Sequence, residues 1–578
     1  MGLDMYQNYI TGQTTLSLNL DFSIPANHIA SVISEFVDSI PNEVILETTS
    51  NTGRPAYHPA MMLKILLFAY SRRVFSGRKI ERMLEENLPM MILADDRKIS
   101  YHTINNFRSS DHANKVIKQC FVYFTSLLED EGLIRENAVF IDGTKIEAGA
   151  NRYTFVWRKG IEKYHAKLRE DVSALYEELI NKEVVKAMAE EEAQTSQGLE
   201  ILAQETEKEV EKLTEKIDRE PKAIPSGSKN KAKRRELKKI AHKLRKDFIP
   251  RAKKYEEAEE IFTGHNSYSK TDHDVTFMHM KEDHMKNGQL KPGYNIQAAT
   301  TNQYIVDFAL FPNPTDFRTF ELFLDQMKSR GILDKFQNIV ADAGYGSEYN
   351  YSILEENYSN KNYQIPYIQY EKEQTRKYKK DPSKVDNWYY NEEDYYVDKS
   401  GVRFNFKYYS QRKDRSTGMV RNFKTYKADE FQLTEELTQL AKTKTGRQRQ
   451  IHYNPNWQYL KEKAKETLQS EEGKRIYGCR KSGVEPIFGH MKSVFGMRRT
   501  HLRGKKKVET DVGIMFMTMN LKKYGANKKV KPSNFHFKNK KRNSLKIMNF
   551  CVFISGLKIE FLPRHFLFFR KFFDFLRT

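Results

Sequence analysis

The chain has 578 residues, 39% of them hydrophobic and 30% charged, with a formal net charge of +21 and a pI of about 9.4. That length carries several domains and a sizeable core, and the basic excess favours a polyanion as partner, nucleic acid before any other. Cys120, Cys479 and Cys551 are too few and too scattered for a disulfide framework or a zinc ribbon, no signal peptide is visible, and the apolar run 547–557 is too short to span a bilayer.

Residues 1–130 read as a helical, DNA-binding domain. In "HPAMMLKILLFAYSRRVFSGRKIERMLEEN", Met62, Leu66 and Ala69 recur at helical spacing, and Ser76 is placed to cap a second helix carrying Ile80 and Leu84. Ser100 is placed to cap a third helix, in "YHTINNFRSS". There His102, Asn105, Asn106 and Arg108 can hydrogen-bond base edges or phosphates, or form the ordinary polar face of a small bundle.

Residues 131–160 hold "VFIDGTKIEA". The strand formers Ala138, Val139, Phe140 and Ile141 deliver Asp142, followed at once by Gly143 and Thr144. An unpaired buried charge costs several kcal/mol, so a carboxylate at the end of a buried strand calls for a cation. Residues 161–262 change period. Tyr164, Leu168, Val172, Leu175 and Leu179 form one stripe, and Leu199, Leu202, Thr206, Val210, Leu213 and Ile217 a second. After the break "PKAIPSGS" (221–228), Leu237, Ile240, Leu244 and Phe248 resume it. This pattern predicts an inserted helical hairpin, an arm whose seam is too narrow for an independent core.

Strand signals return in 263–369. "GYNIQAAT" and "YIVDFALF" suit a hairpin, and a helix follows with Asp316 near its start. In "FQNIVADAGYGSEYN", Ile339, Val340 and Ala341 form a second short strand ending in a carboxylate, Asp342; Gly344 and Gly346 turn the chain into a helix near Ser347. Residues 370–455 read as a β-rich insertion with a hairpin about 399–401, and 456–524 as C-terminal helices. The tail 525–578 is basic and aromatic; ten basic residues and no acid fall between 522 and 546.

Two aspartates at strand ends can share Mg²⁺ or Mn²⁺, hard cations that keep water and phosphate oxygens in their other positions. A third carboxylate is available in "YGCRKSGVEPIFGHMKSVFGMRR", where Glu485 stands among Tyr477, Arg480, Lys481, Lys492, Arg498 and Arg499. The plainer readings are turn aspartates at 142 and 342, and a capping box from Ser482 to Glu485 with Pro486 in the first helical turn.

The order strand–Asp, strand–Asp, helix–Glu in a basic chain resembles the DDE transposases of bacterial insertion sequences, over roughly residues 40–525. The resemblance implies an α/β fold: a ribonuclease-H-like mixed sheet with flanking helices, an N-terminal helical domain and the inserted helical hairpin. It implies Asp142, Asp342 and Glu485 as catalytic and metal-binding triad, with Tyr477, Arg480 and Lys492 as the signature partners of Glu485. Arg480 stands one residue further from Glu485 than the family pattern has it, and Lys481 has the family spacing. Related members carry a cysteine cluster that "ADEFQLTEELTQLAKTKTGRQRQ" lacks, so no zinc is expected.

The implied partners are double-stranded DNA, as terminal inverted repeats and as target, and a second copy of the chain in a homodimer, without a membrane. The implied location is the cytoplasm, at the nucleoid. A metal-activated water attacks the phosphodiester in line, and the freed 3′-hydroxyl then attacks target DNA. DNA contacts are expected from Tyr477, Arg480, Lys481, Lys492, Arg498, Arg499, His102, Asn105 and Arg108. Two other functions fit the same residues: a metal-dependent endonuclease without joining activity, and a DNA-binding protein that has lost catalysis. In geometry, Asp142 and Asp342 should end adjacent strands and converge with Glu485. A helix running from Ser482 through Lys492 should put Glu485 and Lys492 on one face, with Tyr477 and Arg480 approaching from a loop.

Overall fold

The computed structural model describes residues 24–46, 56–134, 137–219, 229–262, 264–280, 288–429, 431 and 433–528. The break at 221–228 and the tail beyond 528 lie outside them. The molecule is organised around β1, Ala138–Glu147, a ten-residue strand buried along most of its length. Such a strand must be covered on both faces, which explains its run of apolar residues. Two short strands, β2 (Phe155–Trp157) and β3 (Ser267–Ser269), pair with each other; β4 (Thr276–His279), β5 (Leu290–Thr301), β6 (Tyr304–Phe311), β7 (Asn338–Ala341) and β8 (Asn362–Gln364) complete the main sheet with β1. The order is β4–β5–β1–β7–β8, with β6 also on β5. β5 runs antiparallel to β1, β4 and β6; β7 is parallel to β1 and to β8. The turn from β5 to β6 places Asn302 and Gln303 at positive φ, the conformation a tight hairpin between right-twisted strands requires.

The N-terminal helices do not form a separate core. Buried side chains run without a break from Ala30 through Leu66, Phe124, Val139 and Phe308 to Tyr524. Helix Asp111–Asp130 lies on β6: the Phe121 and Phe308 rings are 5.1 Å apart, and the Thr125 hydroxyl donates to the Val306 carbonyl. Residue 130 is therefore a change of element and not a packing boundary.

The arm differs from a hairpin. Helices Arg158–Asn181 and Ser196–Arg219 are joined by a third run, Lys229–Lys243, which passes through a π-helical turn, Leu244–Phe248, into Ile249–Ile261. Three helical runs can enclose a core where two cannot. Leu168, Val172, Leu199, Leu202, Leu237, Leu244, Phe248 and Ala252 belong to a cluster separate from the main one. The arm leaves and rejoins the body through the β2–β3 pair.

A second insertion follows β8. Strands β9 (Tyr389–Asn391), β10 (Tyr395–Val397), β11 (Arg403–Lys413), β12 (Val420–Ala428) and β13 (Gln450–Tyr453) form an antiparallel sheet in the order β13–β12–β11–β10–β9. Its small core holds Tyr396, Val402, Phe404, Tyr426, Ala428 and Ala441.

Candidate active site

The parallel register of β1 and β7 pairs Ile141 with Ala341, so the next residue on each strand is an aspartate. Asp142 and Asp342 thus sit side by side, at the strand spacing of about 4.8 Å between backbones. Asp342 ends its strand. Asp142 does not: β1 continues five residues further, and Asp142 faces Ala298 of β5. Asp142 is buried, and its Oδ1 accepts the Gly143 N–H at 2.7 Å; Asp342 Oδ1 accepts the Gly344 N–H at 2.8 Å.

A third aspartate joins them, Asp316, which the sequence marks only as a residue near a helix start. Asp316 Oδ1 accepts the Asn295 amide at 2.8 Å and the Gln297 amide at 2.9 Å. Gln297 Oε1 accepts the hydroxyl of the buried Tyr345, which stands three residues after Asp342. Burial first, and then the charges of Asp316, Asp142 and Asp342, push the Tyr345 hydroxyl far above its ordinary pKa, so all three carboxylates bear on one point. The signal was present in β5. Asn295 and Gln297 are two residues apart, hence on one face, and both are buried in the middle of the strand.

The same cluster explains Gly143. A Cβ there would stand 2.6 Å from Asp316 Oδ1 and closer still to Gln297 Nε2. Only a residue without a side chain lets the polar group on β5 close over β1.

Glu485 comes from a segment laid along β1. Gly483 packs on the Phe140 ring, and the Thr300 hydroxyl reaches both the Phe140 and Gly483 carbonyls. Further on, the Lys492 ammonium donates to Thr144 Oγ1 at 3.0 Å and to the Lys145 carbonyl at 2.9 Å. Arg499 closes the run on the Ala148 and Ala150 carbonyls, with Glu147 at 3.6 Å. Glu485 stands two residues beyond Gly483. Its carboxylate is half-exposed and paired with Arg480 at 3.1 Å. Among the described residues no three Asp, Glu, His or Cys side chains are gathered closely enough to hold a metal ion between them.

Several expectations change at this level. Lys492 does not reach outward; it is buried and tethers its segment to β1. No single helix joins it to Glu485: the helix Glu485–Gly489 gives way to a π-helical turn, His490–Val494, which alters the register. Tyr477 lies on helix Glu471–Gly478 and Arg480 begins Arg480–Gly483, so neither approaches from a loop. The Ser482 hydroxyl donates to the Cys479 carbonyl, leaving no capping box on Glu485. Arg108 is buried, donating to Tyr70, the Phe75 carbonyl and Asn105, so Arg108 and Asn105 are spent on packing; His102 is exposed on the same helix. Lys481 and Arg498 are exposed. Tyr477 stacks near Arg480 (5.9 Å from ring centroid to guanidinium), and burial, opposed by Arg480 and aided by Asp342, raises its pKa.

The donor chemistry fits a divalent cation. Asp142 and Asp342 offer hard carboxylate oxygens from neighbouring strands, and Glu485 is half-exposed and paired with Arg480. Among the described residues no helix is long and apolar enough to cross a membrane. Two protein families match the chain: residues 401–525 match "Transposase DDE domain" and residues 18–110 match "Transposase domain (DUF772)". The first match includes Tyr477, Arg480 and Glu485 and begins beyond Asp142 and Asp342. No curated protein matches the chain.

Proposed function

We propose that the chain is a DNA transposase of the DDE type, an enzyme that acts on DNA with a divalent metal, and that Asp142, Asp342 and Glu485 are its catalytic carboxylates. The observation that carries the reading is the β1–β7 register, which sets Asp142 and Asp342 abreast beside the segment bearing Glu485. The sheet order, with three parallel strands and an antiparallel β5 beside β1, supports a ribonuclease-H-like catalytic domain.

Asp142, Asp342 and Glu485 would hold Mg²⁺ or Mn²⁺. When bound, the metal supplies positive charge at the scissile phosphate and a more acidic attacking group. The protein's own part is positioning. Gly143 admits the Asp316–Gln297–Asn295 group, which fixes β5 against β1 and holds Asp142 in place. Arg480 pairs with Glu485 in the free protein, and its guanidinium would suit bidentate contact with a DNA phosphate. Tyr477, Lys481, Arg498 and the outer part of Arg499 extend that phosphate track, and His102 offers a contact on the N-terminal helices. The enzyme acts as a homodimer on the two ends of its element, in the cytoplasm at the nucleoid.

The test uses duplexes taken from the DNA flanking the gene, incubated with purified protein and Mg²⁺ or Mn²⁺. Wild type should nick at the end and join the freed 3′ end to target. Asp142→Asn, Asp342→Asn and Glu485→Gln should bind the same duplex and do neither. Full cleavage by any of the three removes that residue from the triad.

A further inference from the structure

In the second insertion, β11 and β12 outrun their sheet. β10 covers β11 only at 403–405, and β13 covers β12 only at 424–427. Beyond a bulge between Phe406 and Tyr408, residues 408–413 pair with 420–425, and from there outward 410–413 and 420–423 pair with each other alone, as a two-stranded ribbon with both edges open. Four residues of strand reach about 13 Å. The turn at its tip is stiff: Asp414 Oδ1 accepts from Ser416 N and Oγ, Asp414 Oδ2 accepts from Arg421, and Gly418 takes a positive φ. Residues 407–424 hold six basic residues (Lys407, Arg412, Lys413, Arg415, Arg421, Lys424) and one acid, Asp414, which the turn uses.

The two faces differ. One carries Arg412 over the Phe423 ring at 5.0 Å and sends Arg421 to Glu348, six residues after Asp342, at 3.3 Å. This face is bound to the body beside the active site. The other carries Tyr409, Gln411, Lys413 and Asn422; Tyr409 is 70% exposed, and the Gln411 amide donates to the Asn422 carbonyl oxygen at 3.0 Å. An exposed Gln–Asn pair between cations stabilises nothing in the protein's own core. Both amides match the donor–acceptor edge of adenine, and the major groove of B-DNA admits a two-stranded ribbon.

We infer that the β11–β12 ribbon enters the major groove of the element-end duplex next to the cleavage site. Gln411 and Asn422 read base edges there, and Lys413 and Arg415 hold the flanking phosphates. The inference rests on the transposase reading and adds a sequence-reading site to it.

The experiment measures binding of a gene-flanking end duplex and a scrambled duplex of equal length, by fluorescence anisotropy across a salt series. Gln411→Ala/Asn422→Ala should lower the end-over-scrambled preference roughly tenfold, with the salt slope unchanged. Lys413→Ala/Arg415→Ala should weaken both duplexes alike and reduce the log–log salt slope by about two. Replacing adenines of the end duplex by 7-deazaadenine should reproduce the first loss in wild type and add nothing in the amide variant. Wild-type preference retained by the amide variant overturns the inference, whatever the cation variant does. A wild type that binds neither duplex strikes the transposase reading instead. Melting temperatures equal to wild type confirm that both variants are folded.

Discussion

Two carboxylate networks rest on one continuous core and serve opposite ends. Asp511, wholly buried on helix Lys505–Lys528, accepts the Tyr70 hydroxyl and both the N–H and ring nitrogen of His501, and Arg108 stands behind Tyr70 at 3.1 Å. Burial raises its pKa, but His501, Arg108 and Tyr70 outweigh it and hold the carboxyl below its usual value. That group fastens the N-terminal helices to the C-terminal one. Asp142, Asp342 and Asp316 crowd instead around the Tyr345 hydroxyl, and their partners there are amides and backbone N–H groups. Charge answered by charge locks a fold; like charges gathered on neutral donors keep a site ready for a cation from outside.

Substitutions can break this contrast. The largest effect is on activity: Asp342→Asn should lower end cleavage by orders of magnitude, with melting temperature and DNA affinity near wild type, as gel cleavage assays and calorimetry would show. Asp511→Asn should do the reverse. It strips the carboxylate from a buried network that includes Arg108 and should cost about 3–5 kcal/mol in denaturant unfolding, leaving the chemistry of any folded fraction intact. Its pH dependence has a definite sign. A depressed folded pKa contributes stability above the unfolded value, so the gap between wild type and Asp511→Asn should be full above pH 3.8 and shrink as the pH falls through the lower folded value.

Gly143→Ala acts at the junction of the acids. The added methyl meets Asp316 and Gln297, so about 1–3 kcal/mol of stability should go, together with most cleavage activity. The smallest effect is at Arg480. Arg480→Ala breaks a half-exposed pair with Glu485 and should change stability by no more than about 1 kcal/mol, yet weaken DNA binding.

The strand acids were legible because β1 and β7 announce themselves by short apolar runs and each run delivers its aspartate locally. Glu485 was legible because an acid stands out in a basic stretch. What failed was long-range. The register of the segment 483–499 against β1 is set by contacts with Phe140, Thr144 and Ala148, and nothing in the local spacing says that Lys492 turns inward. Asp316 belongs to the site only because Asn295 and Gln297 meet it from another strand. The third helical run of the arm lay in the sequence as a resumed stripe, but its partner helices had to be known before three stripes could be seen to close a core. Arg108 is different: it stands four residues after the buried Ile104, so helical spacing already placed it on the inner face.

On the proposed function, Asp142, Asp342 and Glu485 share one divalent metal site once DNA is bound. Fe²⁺ substituted for Mg²⁺ generates hydroxyl radicals that cut the polypeptide next to the metal, and mass spectrometry of the fragments reads the positions. In the complex with end DNA the cuts should cluster after 141, within 342–346 and about 485, and vanish together in Asp342→Asn. Cuts confined to other segments, or cuts at 142 and 342 with none near 485, would contradict the shared site.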